Sequence, residues 1–114
     1  MILKISHHQP TPKELKLLLE EFPNYIKLTS DIQQQILYGG SRLHYDCEQI
    51  LLEKENSKQE NIWSGGINLL TKKIEYEAIS NIKPLYNNSS TEILDPNIRN
   101  QFKILVKQFF PDYE

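Results

Sequence analysis

The chain has 114 residues, of which 39% are hydrophobic and 25% are charged, and its formal charge is −2 at pH 7. This length predicts a single domain, residues 1–114, that buries enough surface to fold without a metal or disulfides. The mild acidity argues against a strong nucleic-acid binder, and the single cysteine, Cys47, excludes an internal disulfide.

The first elements are predicted from local signals. Residues 1–6 (MILKIS) have the composition of a short strand. Thr11 and Glu14 then form a capping-box pattern, with Pro12 at the first helical position and Pro23 as the stop. A helix is expected between them, with an apolar stripe made of Leu15, Leu18, Leu19 and Phe22.

The stretch from residue 25 to residue 53 alternates between apolar and polar side chains and predicts a β-hairpin that turns at Gly39-Gly40. In that register Asp31 pairs with Glu48, and one sheet face becomes polar. The alternative is a helix over residues 31–38 with Ser30 as its N-cap. The candidate polar cluster on the exposed face comprises Asp31, Gln33, Gln35, His44, Asp46 and Glu48.

The second half of the chain predicts two further strands and a helix. Residues 62–70 and 74–83 have the composition and alternation of strands, and residues 85–91 form a loop by composition. Asp95 and Pro96 mark the start of a C-terminal helix that Pro111 ends. The expected fold is therefore α+β: a single two-layer domain in which an antiparallel sheet of four to five strands carries an N-terminal and a C-terminal amphipathic helix on one face.

The polar face of the predicted hairpin needs something to offset its charge. Opposed carboxylates destabilise a sheet unless cations or protons compensate them. Lysine side chains are the favoured answer. The weaker alternative is a metal ion held by His44, Asp46 and Glu48, and a shared proton of the kind used in acid–base catalysis is a third.

Four stretches together resemble a family of small bacterial proteins, often cyanobacterial, that is catalogued only as a domain of unknown function: GGSRLHYDCEQILLE, SKQENIWSGGINL, IEYEAISNIKP and NNSSTEILDPNIR. Lys83 stands where the family has arginine, whose planar fork lysine does not reproduce. The matching positions Lys58, Gln59 and Asn81, together with Lys83 at the position of the arginine, suggest a second group of candidate anion or ligand contacts.

Two functional hypotheses follow. The first is a small, soluble, non-catalytic interaction protein, one component of a bacterial two-gene module, with a protein partner or a second copy of itself. The second is a metal-dependent or carboxylate acid–base enzyme that uses His44, Asp46 and Glu48. No cofactor and no membrane attachment are expected, and the absence of a signal-peptide pattern in residues 1–10 predicts a cytoplasmic protein.

Overall fold

Five strands form one antiparallel sheet in the computed structural model, which describes residues 1–114. In spatial order the strands run β1-β3-β2-β4-β5. This confirms the predicted α+β class and the antiparallel sheet. The bounds are β1 Leu3–Ile5, β2 Tyr25–Asp31, β3 Ile36–Gly39, β4 Ile62–Asn68 and β5 Lys73–Glu75.

Three α-helices accompany the sheet: α1 Pro12–Leu18, α2 His44–Lys54 and α3 Pro96–Phe109. The predicted capping box is present at α1, where the Thr11 side chain and the Glu14 side chain each accept a hydrogen bond from the other residue's backbone N–H. The Asp95 carboxylate caps α3 by accepting from the Asn97 N–H. No helix is long and apolar enough to span a membrane.

The predicted hairpin over residues 25–53 is wrong. Strands β2 and β3 do form a hairpin, but it turns at residues 32–35 and pairs Leu28 with Gly39. The Asp31 carboxylate accepts hydrogen bonds from the backbone N–H groups of Gln33 and Gln34, and Gln35 takes a φ of 59°. This aspartate-anchored turn also rules out the alternative helix over residues 31–38.

The second half of the predicted hairpin is helix α2. Residues 43, 45 and 47 alternate as in a strand, but Cys47, Ile50 and Leu51 follow the spacing of a helix. Gly40, with a φ of 86°, ends the pairing of β3 and turns the chain away from the sheet before α2 begins.

Helix α2 covers the sheet face that was predicted to be exposed. The larger cluster of buried side chains contains Leu37 of β3 and Trp63 of β4, together with Leu18 of α1 and residues of α3. The smaller cluster contains the neighbouring strand residues Tyr38 and Ile62 with Cys47 and Leu51 of α2. Because adjacent strand residues point to opposite faces, the two clusters lie on opposite sides of the sheet.

The strand predicted over residues 74–83 is correct only for its first residues, because β5 ends at Glu75. Two short 3-10 helices follow, at residues 79–81 and 84–86. The backbone N–H and C=O of Ser64 bond to the side-chain amide of Asn81, at 2.8 Å each, instead of to a longer β5. That amide thereby fixes residues 76–81 beside the middle of β4.

Candidate functional site

A cleft of about 680 Å³ lies between the N-terminal half of α2 and residues 75–80. Tyr25 and Lys27 of β2 also line the cleft. Most of the lining side chains are polar, and charges of both signs are present. The lining residues are Tyr25, Lys27, Leu43, His44, Tyr45, Glu48, Glu75, Glu77, Ala78, Ile79, Ser80 and Thr91.

His44, the first residue of α2, is held in one orientation by the sheet. Its Nε2 lies 2.7 Å from the carbonyl oxygen of Gly65, and because a carbonyl only accepts, Nε2–H donates this bond. Burial lowers the pKa of His44, the Gly65 carbonyl opposes that shift, and the nearby Lys27 ammonium adds to it. No fully buried side-chain nitrogen lacks a partner, so Nδ1, which makes no hydrogen bond, keeps some contact with solvent.

Glu48 lies one helical turn after His44, and a chain of hydrogen bonds holds its carboxylate. Gln59 donates from Nε2 to Glu48 Oε1 at 2.7 Å, and Lys83 donates from Nζ to Gln59 Oε1 at 2.8 Å. Lys83 is buried, and its Nζ lies 5.7 Å from the centre of the Trp63 ring. Burial lowers the pKa of Lys83, while Glu48 partly opposes that shift. The second carboxylate oxygen of Glu48, Oε2, accepts no hydrogen bond within the chain and is not fully buried.

The cleft carries more negative than positive side chains. Glu48, Glu75 and Glu77 line it together with a single lysine, Lys27. None of the four takes part in the three ion pairs of the structure. The Lys27 ammonium lies 5.2 Å from the centre of the Phe22 ring. The carboxylates of the cleft are therefore not neutralised by direct ion pairing.

The hydroxyl groups of Tyr25 and Ser80 also belong to residues that line the cleft. The pKa of Tyr25 is raised by burial and by Glu75 and Glu77, so its hydroxyl remains protonated at neutral pH. Ser80 donates to Ser64 Oγ at 3.1 Å, and Ser64 donates to the Thr29 hydroxyl at 3.0 Å. These bonds lead from the cleft into the sheet.

Large apolar side chains are exposed around this polar cleft. Leu43 and Tyr45, at the start of α2, are 53% and 59% exposed, and Ile79 opposite them is 81% exposed. All three line the cleft. Apolar side chains that form a contiguous exposed patch mark interaction sites, and these three are gathered around one cleft.

The structure separates the residues of the predicted polar cluster. His44 and Glu48 line the cleft, but Asp31 is buried at the β2–β3 turn and does not face Glu48. Gln33 and Gln35 are exposed in that turn, away from the cleft. The opposed carboxylates that the predicted register implied therefore do not exist.

Asp46 is also separated from its predicted partners. It lies two residues after His44 on a helix and so points roughly 200° around the axis from it, whereas Glu48 lies on the same side as His44. Asp46 is exposed and does not line the cleft. The structure contains no group of three or more His, Cys, Asp or Glu side chains that could hold a metal ion, so His44, Asp46 and Glu48 do not form a ligand set.

The second group of candidates divides in a similar way. Gln59 and Lys83 position Glu48, as described above, whereas Lys58 is exposed and makes no side-chain hydrogen bond or ion pair. Asn81 is fully buried and bonds only to backbone groups of Ser64 and Thr91. Both N–H donors of its amide are used and the side chain is fully buried, so a ligand in the cleft does not reach it in this arrangement.

Sequence reasoning missed Tyr25, Lys27, Glu75, Glu77 and Ser80 as site residues. They come from β2, from β5 and from the turn that follows β5, and no short motif joins them. The outward position of Glu75 and Glu77 was visible in the alternation of residues 74–78, but an acidic outer face is common and gave no signal of a cleft.

Comparison with known proteins identifies one family. A family model described as protein of unknown function (DUF5674) matches residues 4–109. No curated protein matches the chain, and no solved structure does. The match spans nearly the whole sheet, the cleft and all three helices, and the chain therefore belongs to the DUF5674 family of proteins of unknown function.

Proposed function

We propose that the protein is a non-catalytic binding module that holds a segment of a partner protein in the cleft beside α2. The observation that carries this proposal is the set of exposed apolar side chains, Leu43, Tyr45 and Ile79, around a cleft of about 680 Å³. Cavities of roughly 300–1,000 Å³ are typical of sites that enclose a ligand. The exposed apolar side chains on both sides of the cleft favour a peptide segment that carries apolar residues of its own.

The energetics favour an occupied cleft. Complete burial of a large apolar side chain contributes about 1.5–3 kcal/mol relative to leaving it in water. Ile79 is 81% exposed, so most of that contribution is still available to a complex. We further propose that the partner is the product of the second gene of a bacterial two-gene module.

A peptide selection tests this function. A phage-displayed library of random peptides is selected on the protein, and enriched peptides are measured against Ile79→Ser by isothermal titration. The matched control is Leu85→Ser, because Leu85 is 90% exposed but does not line the cleft. We expect enriched peptides that lose affinity for Ile79→Ser and keep it for Leu85→Ser. The proposal fails if no peptide is enriched, or if every enriched peptide binds both variants equally.

A second copy of the chain is the main competing occupant. Sedimentation velocity of the wild type and of Ile79→Ser separates this case from a hetero-complex. If the wild type is a dimer and Ile79→Ser is a monomer, the occupant of the cleft is a second copy of the chain and not a different protein. If the wild type is a monomer at all concentrations, the proposal of a different protein as the partner stands.

Acid–base catalysis is a second candidate function, and His44 is the observation that favours it. The Gly65 carbonyl fixes the proton on Nε2, and the lowered pKa keeps the accessible Nδ1 unprotonated at neutral pH. A neutral imidazole in a cleft is the state that a general base requires. Hydrolysis of a panel of ester, amide and phosphoester substrates by the wild type and by His44→Gln tests this function. Turnover that His44→Gln abolishes would support it, and equal rates would end it.

A further inference from the structure

We infer that the cleft recognises a basic side chain of the docked segment, with arginine bound more tightly than lysine, between Glu48 on one wall and Glu75 and Glu77 on the other. This inference rests on the proposed docking function and adds the chemistry of its ligand. The three carboxylates lie around one cavity although they come from different elements: Glu48 is in α2, Glu75 ends β5, and Glu77 is the second residue after β5. A cation in the cavity therefore meets acceptors on opposite sides.

The α2 wall offers two acceptors that make no hydrogen bond within the chain, whereas on the opposite wall Glu75 Oε2 accepts from Asn68 and Glu77 Oε1 accepts from Thr91. Glu48 Oε2 makes no hydrogen bond within the chain, and neither does His44 Nδ1 on the same helix face. Both atoms keep some contact with solvent and both accept. A ligand that brings several N–H donors suits this surface, and a guanidinium brings five in one plane.

The only lysine of the cleft does not already fill this role. The Lys27 ammonium lies over the Phe22 ring, and it forms no ion pair with Glu48, Glu75 or Glu77. Its charge weakens the negative field of the cleft, but each of the three carboxylates keeps one oxygen without a side-chain hydrogen bond, namely Glu48 Oε2, Glu75 Oε1 and Glu77 Oε2. The cleft therefore keeps an excess of carboxylates over ammonium groups.

Glu48 is the carboxylate best prepared for binding. The Lys83–Gln59–Glu48 chain fixes Oε1, so the side chain loses little conformational freedom when Oε2 accepts a hydrogen bond from a ligand. The positive end of the α2 dipole opposes a cation, but that effect fades after the first turn, and Glu48 lies in the second turn. The negative charge of the three carboxylates outweighs the remaining effect of the helix dipole on a cation.

The apolar rim defines the neighbours of the basic side chain. Leu43 and Tyr45 lie on the α2 side of the cleft and Ile79 lies opposite. A segment with an apolar residue on each side of the arginine would place both against this rim. The probe that follows is acetyl-Leu-Arg-Leu-amide.

The experiment titrates isotope-labelled full-length protein with this tripeptide and follows backbone amide signals by NMR. The same peptide with citrulline in place of arginine is the neutral isostere. Glu48→Gln keeps the hydrogen bond to Gln59 and removes the charge, whereas Glu53→Gln is the matched control on the exposed side of α2. Thermal melts of both variants confirm that they fold.

We expect the arginine peptide to shift signals of residues 44–48 and 75–80, and the citrulline peptide to bind about tenfold more weakly, as the loss of one charge-assisted hydrogen bond predicts. Glu48→Gln should weaken binding to a similar degree and Glu53→Gln should not change it. Equal affinity for both peptides, or no binding at the cleft, would overturn the inference. If library peptides still need Ile79 but lack a basic residue, the docking function stands and only this inference fails.

Discussion

Replacement of Asn81 by alanine should cause one of the largest losses of stability available from a single polar side chain in this protein. The Asn81 side chain is fully buried and makes three hydrogen bonds. Its Oδ1 accepts from the Ser64 N–H at 2.8 Å, and its Nδ2 donates to the Ser64 carbonyl at 2.8 Å and to the Thr91 carbonyl at 3.0 Å. Alanine removes all three.

The magnitude follows from the groups left behind. A buried backbone group without a partner costs about 1–3 kcal/mol, and Asn81→Ala strands two such groups on Ser64. The Thr91 carbonyl is only partly buried, so water replaces most of its lost bond. The expected loss is therefore about 2–6 kcal/mol. Small domains are stable by about 5–15 kcal/mol in total, so this is a large fraction.

Urea unfolding followed by tryptophan fluorescence measures this loss, because Trp63 is the only tryptophan and is buried in the larger core cluster. A loss of this size lowers the urea midpoint by about 1 M or more. Asn100→Ala is the matched control, since Asn100 is exposed on α3 and should change stability by no more than about 0.5 kcal/mol. A loss below about 1 kcal/mol for Asn81→Ala would refute the reasoning.

Three further predictions concern pH, the β2–β3 turn and the centre of β4. The pKa of His44 is lower in the folded protein than in the unfolded chain, so the unfolded chain binds a proton at a higher pH than the folded protein does. The free energy of unfolding should therefore fall as the pH decreases below about 6.5. Urea midpoints at pH 7.5 and 5.5 should differ less for His44→Gln than for the wild type. Asp31→Ala should cost about 1–3 kcal/mol because it frees the backbone of the turn, whereas Asp31→Asn, which keeps one acceptor, should cost less; equal urea midpoints for the two variants would contradict the turn's anchoring. Gly65→Ala should destabilise the fold by about 1–3 kcal/mol or more, because its Cβ would overlap the Glu75 carbonyl oxygen and lie 3.0 Å from the Phe102 ring; an unchanged thermal midpoint would show that the strands and α3 adjust freely.

The parts of the fold that depend on neighbouring residues were predictable. The Thr11 capping box and the Asp95 cap each act within three residues of the helix start, and both are present. The end of α1 was less well defined: the helix stops at Leu18, before the proline that was expected to end it. A cap is a local interaction, whereas the last turn of a short helix depends on what packs against it.

The prediction of a strand in place of helix α2, over residues 40–54, failed for a physical reason. Apolar residues at 43, 45 and 47 satisfy a strand period, and those at 47, 50 and 51 satisfy a helix period, so hydrophobic spacing alone does not decide between them. Tertiary contacts decide it. Cys47 and Leu51 bury themselves against Tyr38 and Ile62, which only a helix laid across the sheet allows them to do together.

The candidate site shows the same division. The sequence alone selected His44, Glu48, Gln59 and Lys83 as chemically notable, and the structure places the first two in the cleft and connects Glu48 to the other two. The sequence by itself determined the α+β class, the two capped helices and several of the polar residues that form or support the site. Only the tertiary structure decided which carboxylates share a cavity. Glu48, Glu75 and Glu77 come together because α2 packs on the sheet and because the Asn81 side chain bonds to the backbone of β4. Neither contact leaves a periodic signal in the chain.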